Sequence, residues 1–452
     1  TAGPLPSGIN PQPVYEADVE HHITYRRQMI VTSPHPEGPY SEPVWIDEDG
    51  IDPCLFHDED GRNYMLLNRG ARILELDKDC KKQISPARML CYGDNKRAPE
   101  GPHLFKKDGY YYLLLAEGGT GHGHRVSIFR SRDLMGCYEP CPFNPILRQW
   151  LEDAPIQRCG HGELVDTPDG RWYMAYLCGR KKGDYTILGR ETALEPVEWT
   201  AEGWPIVNRG RGPSAINKKP FPEGNLNTAP AGRQEALAGR QEASAEYKED
   251  SCVTTLPTDF LSPRPWLEGG VSYEGAGDGT GVWTLQASPA PFDTVQARNL
   301  MLRRQLSFEE DVQVVLETVG DMPEGAMAGL LGYYDENSFL FFGLTMEKGA
   351  KKLLLWQHIG TDDEKEIFDL PSQETCGILL RMEVRGLSRR FLYETEKKRC
   401  LVKTLEKVTY LSDEGVSMGK RFTGVLSGMG VYAGGKPLQA TFREFRREDA
   451  TL

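Results

Sequence analysis

Helical periodicity is nearly absent from Arg26 to about Asn208, and no apolar run in the chain is long enough to span a bilayer. The first absence excludes a fold carried by helices there, and the second excludes a membrane-spanning helix. Positive charge is also in short supply. With 53 Lys and Arg against 66 Asp and Glu, the formal net charge of −13 disfavours nucleic acid or an anionic membrane as the main partner, and a neutral substrate fits better. Paired cysteine spacing is missing too. The ten Cys are scattered, and a chain of 452 residues does not need disulfide staples, so a reducing, cytoplasmic compartment is expected. No signal peptide precedes Thr1, although a chain that does not open on Met leaves room for an N-terminal piece already removed. Turn-forming and aromatic residues, by contrast, are plentiful. Gly 48 and Pro 31, with aromatics at 10%, suit an all-β protein rich in turns, and the length calls for two domains.

Three segments follow one template. Asp52, Glu100 and His161 each open a short apolar run; Gly61, Gly109 and Gly170 fall nine positions on, and Tyr64, Tyr112 and Tyr173 twelve on, with an Asp before the Gly every time. Strand, Asp-Gly turn and second strand make each unit a β-hairpin. Asp58, Asp60, Asp108 and Asp169 are accordingly turn residues. A hairpin repeated at this spacing is the mark of radial repetition, in which four-stranded sheets circle a channel lined by their innermost strands. The opening residues should then converge on one axis, gathering two carboxylates and an imidazole at the mouth of one pocket, which is equipment for acid–base chemistry.

Strand-like runs alternate with turns from Arg26 to about Asn208, and the stretch from Gly210 to Pro257 then becomes polar. That stretch holds a tandem heptad, Ala231 to Leu237 and Ala238 to Ser244, and reads as a linker. Alternation resumes in Val312 to Thr318, Met327 to Tyr334, Phe339 to Thr345, Leu353 to Gln357, Ile378 to Val384, Arg390 to Tyr393 and Gly424 to Ala433, which suggests a β-sandwich. The boundaries are 1–220, 221–257 and 258–452. The sandwich either binds sugar or braces the first domain, and bracing is favoured because no cluster of exposed aromatics is readable in it.

Several long motifs carry a resemblance. Gly50-Ile-Asp-Pro-Cys-Leu-Phe56, Ala98-Pro-Glu-Gly-Pro-His-Leu-Phe105 leading into Tyr110 to Thr120, Gly160-His-Gly-Glu-Leu-Val165 and Leu188-Gly-Arg-Glu-Thr-Ala193 closely resemble glycoside hydrolase family 43. The branch is that of β-xylosidases and α-L-arabinofuranosidases with a C-terminal, concanavalin-like β-sandwich. The resemblance implies a five-bladed β-propeller and hydrolysis of glycosidic bonds with inversion, from an acid on the leaving-group side and a base holding a water on the other face. By motif, Glu100 matches the general acid. Asp52 matches a third carboxylate that positions the acid and keeps it protonated, a like charge making ionisation costlier by about 1.4 kcal/mol for each pH unit. Arg190 matches an arginine that contacts the sugar, and Phe422 resembles an aromatic that helps close the pocket, with a sandwich-core Phe as the other reading. His161 matches an axial histidine that in some members lies beside a water-coordinated calcium and in others only hydrogen-bonds. No cofactor is required.

The residues also leave alternatives open. His122 and His124 are two apart and allow a metal pair, with exposed loop residues the favoured reading; Glu117 is either a sugar contact or part of a turn; one imidazole cannot define a calcium site. The resemblance places the catalytic base on an Asp in a first blade, and the chain has no room for that blade; Asp18, Asp47 and Asp49 lie in the wrong registers. The propeller is therefore expected to be N-terminally incomplete and the activity impaired. The leading expectation is an exo-acting β-xylosidase on xylo-oligosaccharides. An α-L-arabinofuranosidase acting on an arabinosyl substrate is the sibling reading, a non-catalytic carbohydrate-binding protein the reading of another class, and a homo-oligomer is left open.

Overall fold

The computed structural model describes residues 26–36, 38–68, 70–94, 99–220, 256–370, 377–395, 398–418 and 422–449. Asp18 and the tandem heptad fall outside them. Two compact units emerge, one of residues 1–178 with 192–234 and one of residues 179–191 with 235–452.

The first unit is built from antiparallel sheets laid down in chain order. A two-stranded sheet of β1 (Gln28–Ile30) and β2 (Val44–Ile46) is followed by one of β3 (Cys54–His57), β4 (Asn63–Leu67), β5 (Ala71–Leu76) and β6 (Arg88–Cys91). The next holds β7 (Glu100–Lys107), β8 (Tyr110–Glu117), β9 (Arg125–Ser131) and β10 (Glu139–Pro140), with β11 (Leu147–Arg148) also on β9. The fourth holds β12 (Ile156–Asp166), β13 (Trp172–Arg180), β14 (Glu191–Trp199) and β15 (Pro205–Val207). The three template hairpins are β3–β4, β7–β8 and β12–β13. Between β7 and β8 the turn is Asp108-Gly109, both at positive φ (49° and 74°), the twist that a two-residue hairpin loop needs.

The sheets holding β4 and β8 bury both faces, which is why these two second strands are apolar without alternation. On β4, Tyr64 and Leu66 join a cluster with Phe56, Leu104 and Leu113, whereas Met65 and Leu67 turn to Ile30 and Ile46 of the preceding sheet. On β8, Leu113 and Leu115 face back into the first of these clusters while Tyr112 and Leu114 face forward to Leu164, Met174 and Tyr176. Sheets packed face to face in succession, each contributing its first strand to the same side, are propeller blades. Each fully buried side chain of this kind contributes about 1.5–3 kcal/mol.

The second unit is a sandwich of two seven-stranded antiparallel sheets. One runs Phe260–Leu261, Met301–Arg304, Leu426–Tyr432, Met327–Asp335, Ser338–Glu347, Ala350–Ile359, Asp362–Asp369; the other runs Val271–Glu274, Val282–Gln286, Gln439–Asp449, Glu309–Val319, Ile378–Arg385, Ser388–Thr395, Lys398–Leu405. The core between them holds Trp283, Val312, Val314, Leu330, Phe342, Leu380 and Phe391.

Candidate active site

The three template openings do meet. Asp52 precedes β3, Glu100 begins β7, and His161 sits within β12, so the hairpins alone put them on neighbouring first strands. The contacts converge on Gly101. Its amide donates to Oδ2 of Asp52 at 3.0 Å. From the other side, a Cβ built on Gly101 would lie 2.5 Å from Nε2 of His161, so the imidazole rests on the glycine's α-carbon. The residue between these two groups is covalently joined to Glu100.

The backbone here is bent away from strand geometry at each opening. Asp52 and His161 have φ of 55° and 49°, and Gly101 has 56°. For residues other than Gly such angles cost about 1–3 kcal/mol and persist where the surroundings hold them. The pairing of β7 with β8 also shifts between Glu100 and His103, so Glu100 stands opposite Ala116 across a bulge that re-aims its side chain. A glycine is favoured at 101 on two counts: the left-handed φ and the ring against it.

Further along the same strands lies a second layer that sequence reasoning missed. Nδ1 of His103 pairs with Oε1 of Glu163. Burial lowers the imidazole's proton affinity, but the neighbouring Cys54 and Glu163 outweigh it and push the pKa up to about 10. The signal was present: Cys54, His103 and Glu163 each follow a template opening by two or three positions.

The other early histidines do not make the metal pair that their spacing allowed. His122 is exposed, with Nδ1 3.1 Å from Oε1 of Gln157, whereas His124 is 1% exposed and its ring packs on the α-carbon of Gly160. They face opposite ways. Nor is His124 an exposed loop residue. Among the described residues no group of three or more His, Cys, Asp or Glu is placed to hold a metal ion. Asp47 pairs with Arg27 at 3.1 Å, and Oδ1 of Asp49 accepts the amide of Arg26 at 2.9 Å.

Arg190 and Phe422 belong to the second unit, where they touch: the guanidinium carbon lies 4.4 Å from the centre of the ring. Two glycines set up the contact. A Cβ on Gly189 would lie 2.5 Å from the amide nitrogen of Gly424, both residues have left-handed φ (68° and 76°), and Val425 donates to the carbonyl of Ile187 at 3.0 Å. Phe422 is 36% exposed, which removes the reading of it as a sandwich-core residue.

Residues 14–205 match the family described as glycosyl hydrolases family 43, and residues 277–448 match the beta xylosidase C-terminal concanavalin A-like domain. The chain is 30% identical over 447 residues to a xylosidase/arabinosidase 43B of Humicola insolens, covering 92% of this chain and 78% of that one. It is 31% identical to a xylan 1,3-beta-xylosidase of Vibrio sp, covering 87% and 75%. Among solved structures, the GH43 BlXynB protein from Bacillus licheniformis superposes with a TM-score of 0.81 at 36% identity, covering 94% of this chain and 80% of that one.

Proposed function

The chain belongs to glycosyl hydrolase family 43, and we propose that it is an exo-acting β-xylosidase, releasing xylose from the non-reducing end of short xylo-oligosaccharides with inversion at the anomeric carbon. The observation that carries this reading is the Asp52–Gly101–His161 contact set, which grips the residue next to Glu100 from two sides. Glu100 protonates the leaving oxygen as the glycosidic bond breaks. Asp52, held on the adjacent amide, fixes the acid's backbone and, as a like charge nearby, favours its protonated form. His161 closes the channel side of the site, and Arg190 keeps, on its motif alone, the proposed role of a sugar contact.

Inversion also needs a carboxylate to take a proton from the attacking water. Asp47 and Asp49 are engaged by Arg27 and Arg26 and are not assigned that role. With no base assigned among the described residues, slow turnover is the corresponding proposal, since a general base contributes about 10²- to 10⁴-fold. Arabinofuranosidase activity is the second reading, favoured by the relative named a xylosidase/arabinosidase.

Xylobiose and an aryl arabinofuranoside, each with and without azide, test these points. Azide attacks without being deprotonated, so it should raise turnover at least tenfold if the base is what limits the reaction. Glu100→Gln should abolish most of the xylobiose activity under both conditions. Xylobiose binding with no turnover even in azide would instead identify a carbohydrate-binding protein.

A further inference from the structure

Glu117 ends β8 one residue beyond Ala116, the strand partner of Glu100. Its carboxylate is completely buried, at 0% exposure. Oε1 accepts the amide of Asp94 at 2.7 Å, Oε2 accepts the hydroxyl of Ser127 at 2.7 Å, and Nε of Arg125 stands 3.8 Å from Oε2. A buried carboxylate is tolerated only with such pairing, and an apolar side chain would fill the same space at lower cost. Two donors and a nearby guanidinium meet on this carboxylate, an arrangement that an apolar residue could not offer.

What it provides is a grip on the acid's own strand. Gly93, at φ +84°, lies so close that a Cβ there would run into Oε1 of Glu117, and the same Cβ would stand 3.2 Å from the Cβ of Pro99, the residue before Glu100. Pro99 is fixed in turn, since its carbonyl accepts the amide of Gly70 at 3.1 Å. Glu117 therefore reaches Glu100 by two routes: through the β8 backbone, by way of Ala116, and through the Gly93–Pro99 contact. We propose that Glu117 is a positioning residue for the general acid, with Ser127 and Arg125 holding its carboxylate in place. This rests on the acid role given to Glu100.

The test is the dependence of kcat on leaving group. Acid catalysis matters most when the departing group is a poor one, so a misplaced acid costs little with strongly acidic phenols and much with weakly acidic ones or with xylobiose. Aryl β-xylosides spanning a range of phenol acidity would be assayed with the wild-type protein, Glu117→Gln and Glu100→Gln, alongside thermal melting. Glu117→Gln should lose about 10²-fold on xylobiose and less than about threefold on the most acidic phenol, steepening the dependence in the direction that Glu100→Gln steepens it further. An equal loss across the series, or lower melting temperature with an unchanged slope, overturns the positioning role and leaves a merely structural carboxylate. If Glu100→Gln itself shows no steepening, the acid assignment fails first and takes this inference with it. Should Glu117→Gln not fold, Ser127→Ala removes one hydrogen bond to the same carboxylate and should steepen the dependence by about three- to tenfold on xylobiose; an unchanged slope there refutes the proposal.

Discussion

Substituting Ala for Gly101 tests the convergence of the template openings directly. The new residue must hold φ at +56°, a conformation that costs an L-residue about 1–2 kcal/mol. Its Cβ would stand 2.5 Å from Nε2 of His161, whereas non-bonded contacts settle at about 3.5 Å. About 1 Å must therefore be found by moving either the ring or the strand. If the strand yields, the 3.0 Å bond from the Gly101 amide to Asp52 is stretched, and a hydrogen bond to a charged group is worth about 1.5–3 kcal/mol. Glu100 moves with it, and a misplacement of about 1 Å costs about 10²-fold in rate. The expected result is a fall of about 10²-fold or more in kcat/KM on xylobiose. The informative measurement is the cycle with His161→Ala. Removing the ring relieves the collision but not the left-handed φ, so the double variant should exceed the product of the two single effects by at least about tenfold, a coupling of about 1.4 kcal/mol. Strict additivity would show that position 101 and the His161 ring do not meet, and the channel geometry argued above would be wrong.

Two further outcomes are expected. Glu310, 1% exposed in the sandwich, is pushed by burial up to about 7 from 4.5, against the opposing charges of Arg447 and Arg389. A carboxyl raised on folding contributes stability that is complete below the unfolded value and lost as pH climbs through the folded one; at about 1.4 kcal/mol per pH unit the loss is about 3 kcal/mol. Denaturant titrations should show the sandwich weakening from pH 5 to pH 8, and Glu310→Gln should flatten that slope; an unaltered slope removes Glu310 as its source. If Arg190 is the sugar contact proposed from its motif, Phe422→Ala should raise KM about three- to tenfold with little change in kcat, because the ring lies 4.4 Å from the Arg190 guanidinium and steadies it. A loss confined to kcat would count against that role.

Two of the strands that were not legible share a physical feature that the legible ones lack. Met327–Asp335 and Ser338–Glu347 are covered on both faces and Glu309–Val319 alternates into the core, so hydrophobicity marks all three. Asp362–Asp369 and Lys398–Leu405 went unread although each pairs along its whole length with a legible neighbour. Both are the last strands of their sheets and carry Asp, Glu, Lys and Arg where an inner strand would carry Leu or Val. Charge on an outer strand discourages further pairing with other chains, and the same charge erases the alternation by which a strand is recognised.

At the site the balance is reversed. The template located Asp52, Glu100 and His161 because hairpin spacing is a property of the backbone, and the backbone alone brings their strands side by side. Glu117 reads from the sequence only as a sugar contact or part of a turn, because its Asp94 and Ser127 partners lie on separate segments and its burial depends on Gly93 lacking a side chain. Nor could spacing reveal that Asp52 and His161 adopt left-handed backbone angles. Those angles explain how residues in strand-rich segments escape the strand rule of alternate sides. A strand points successive side chains to opposite faces of its own sheet, whereas a left-handed residue turns its side chain out of that alternation. The hairpin body of each repeat builds the blade and can be read as β-structure. Its opening residue is where the chain stops obeying that pattern, and in two of the three repeats that residue itself takes the strained angle, with the third displacing it onto the glycine that follows.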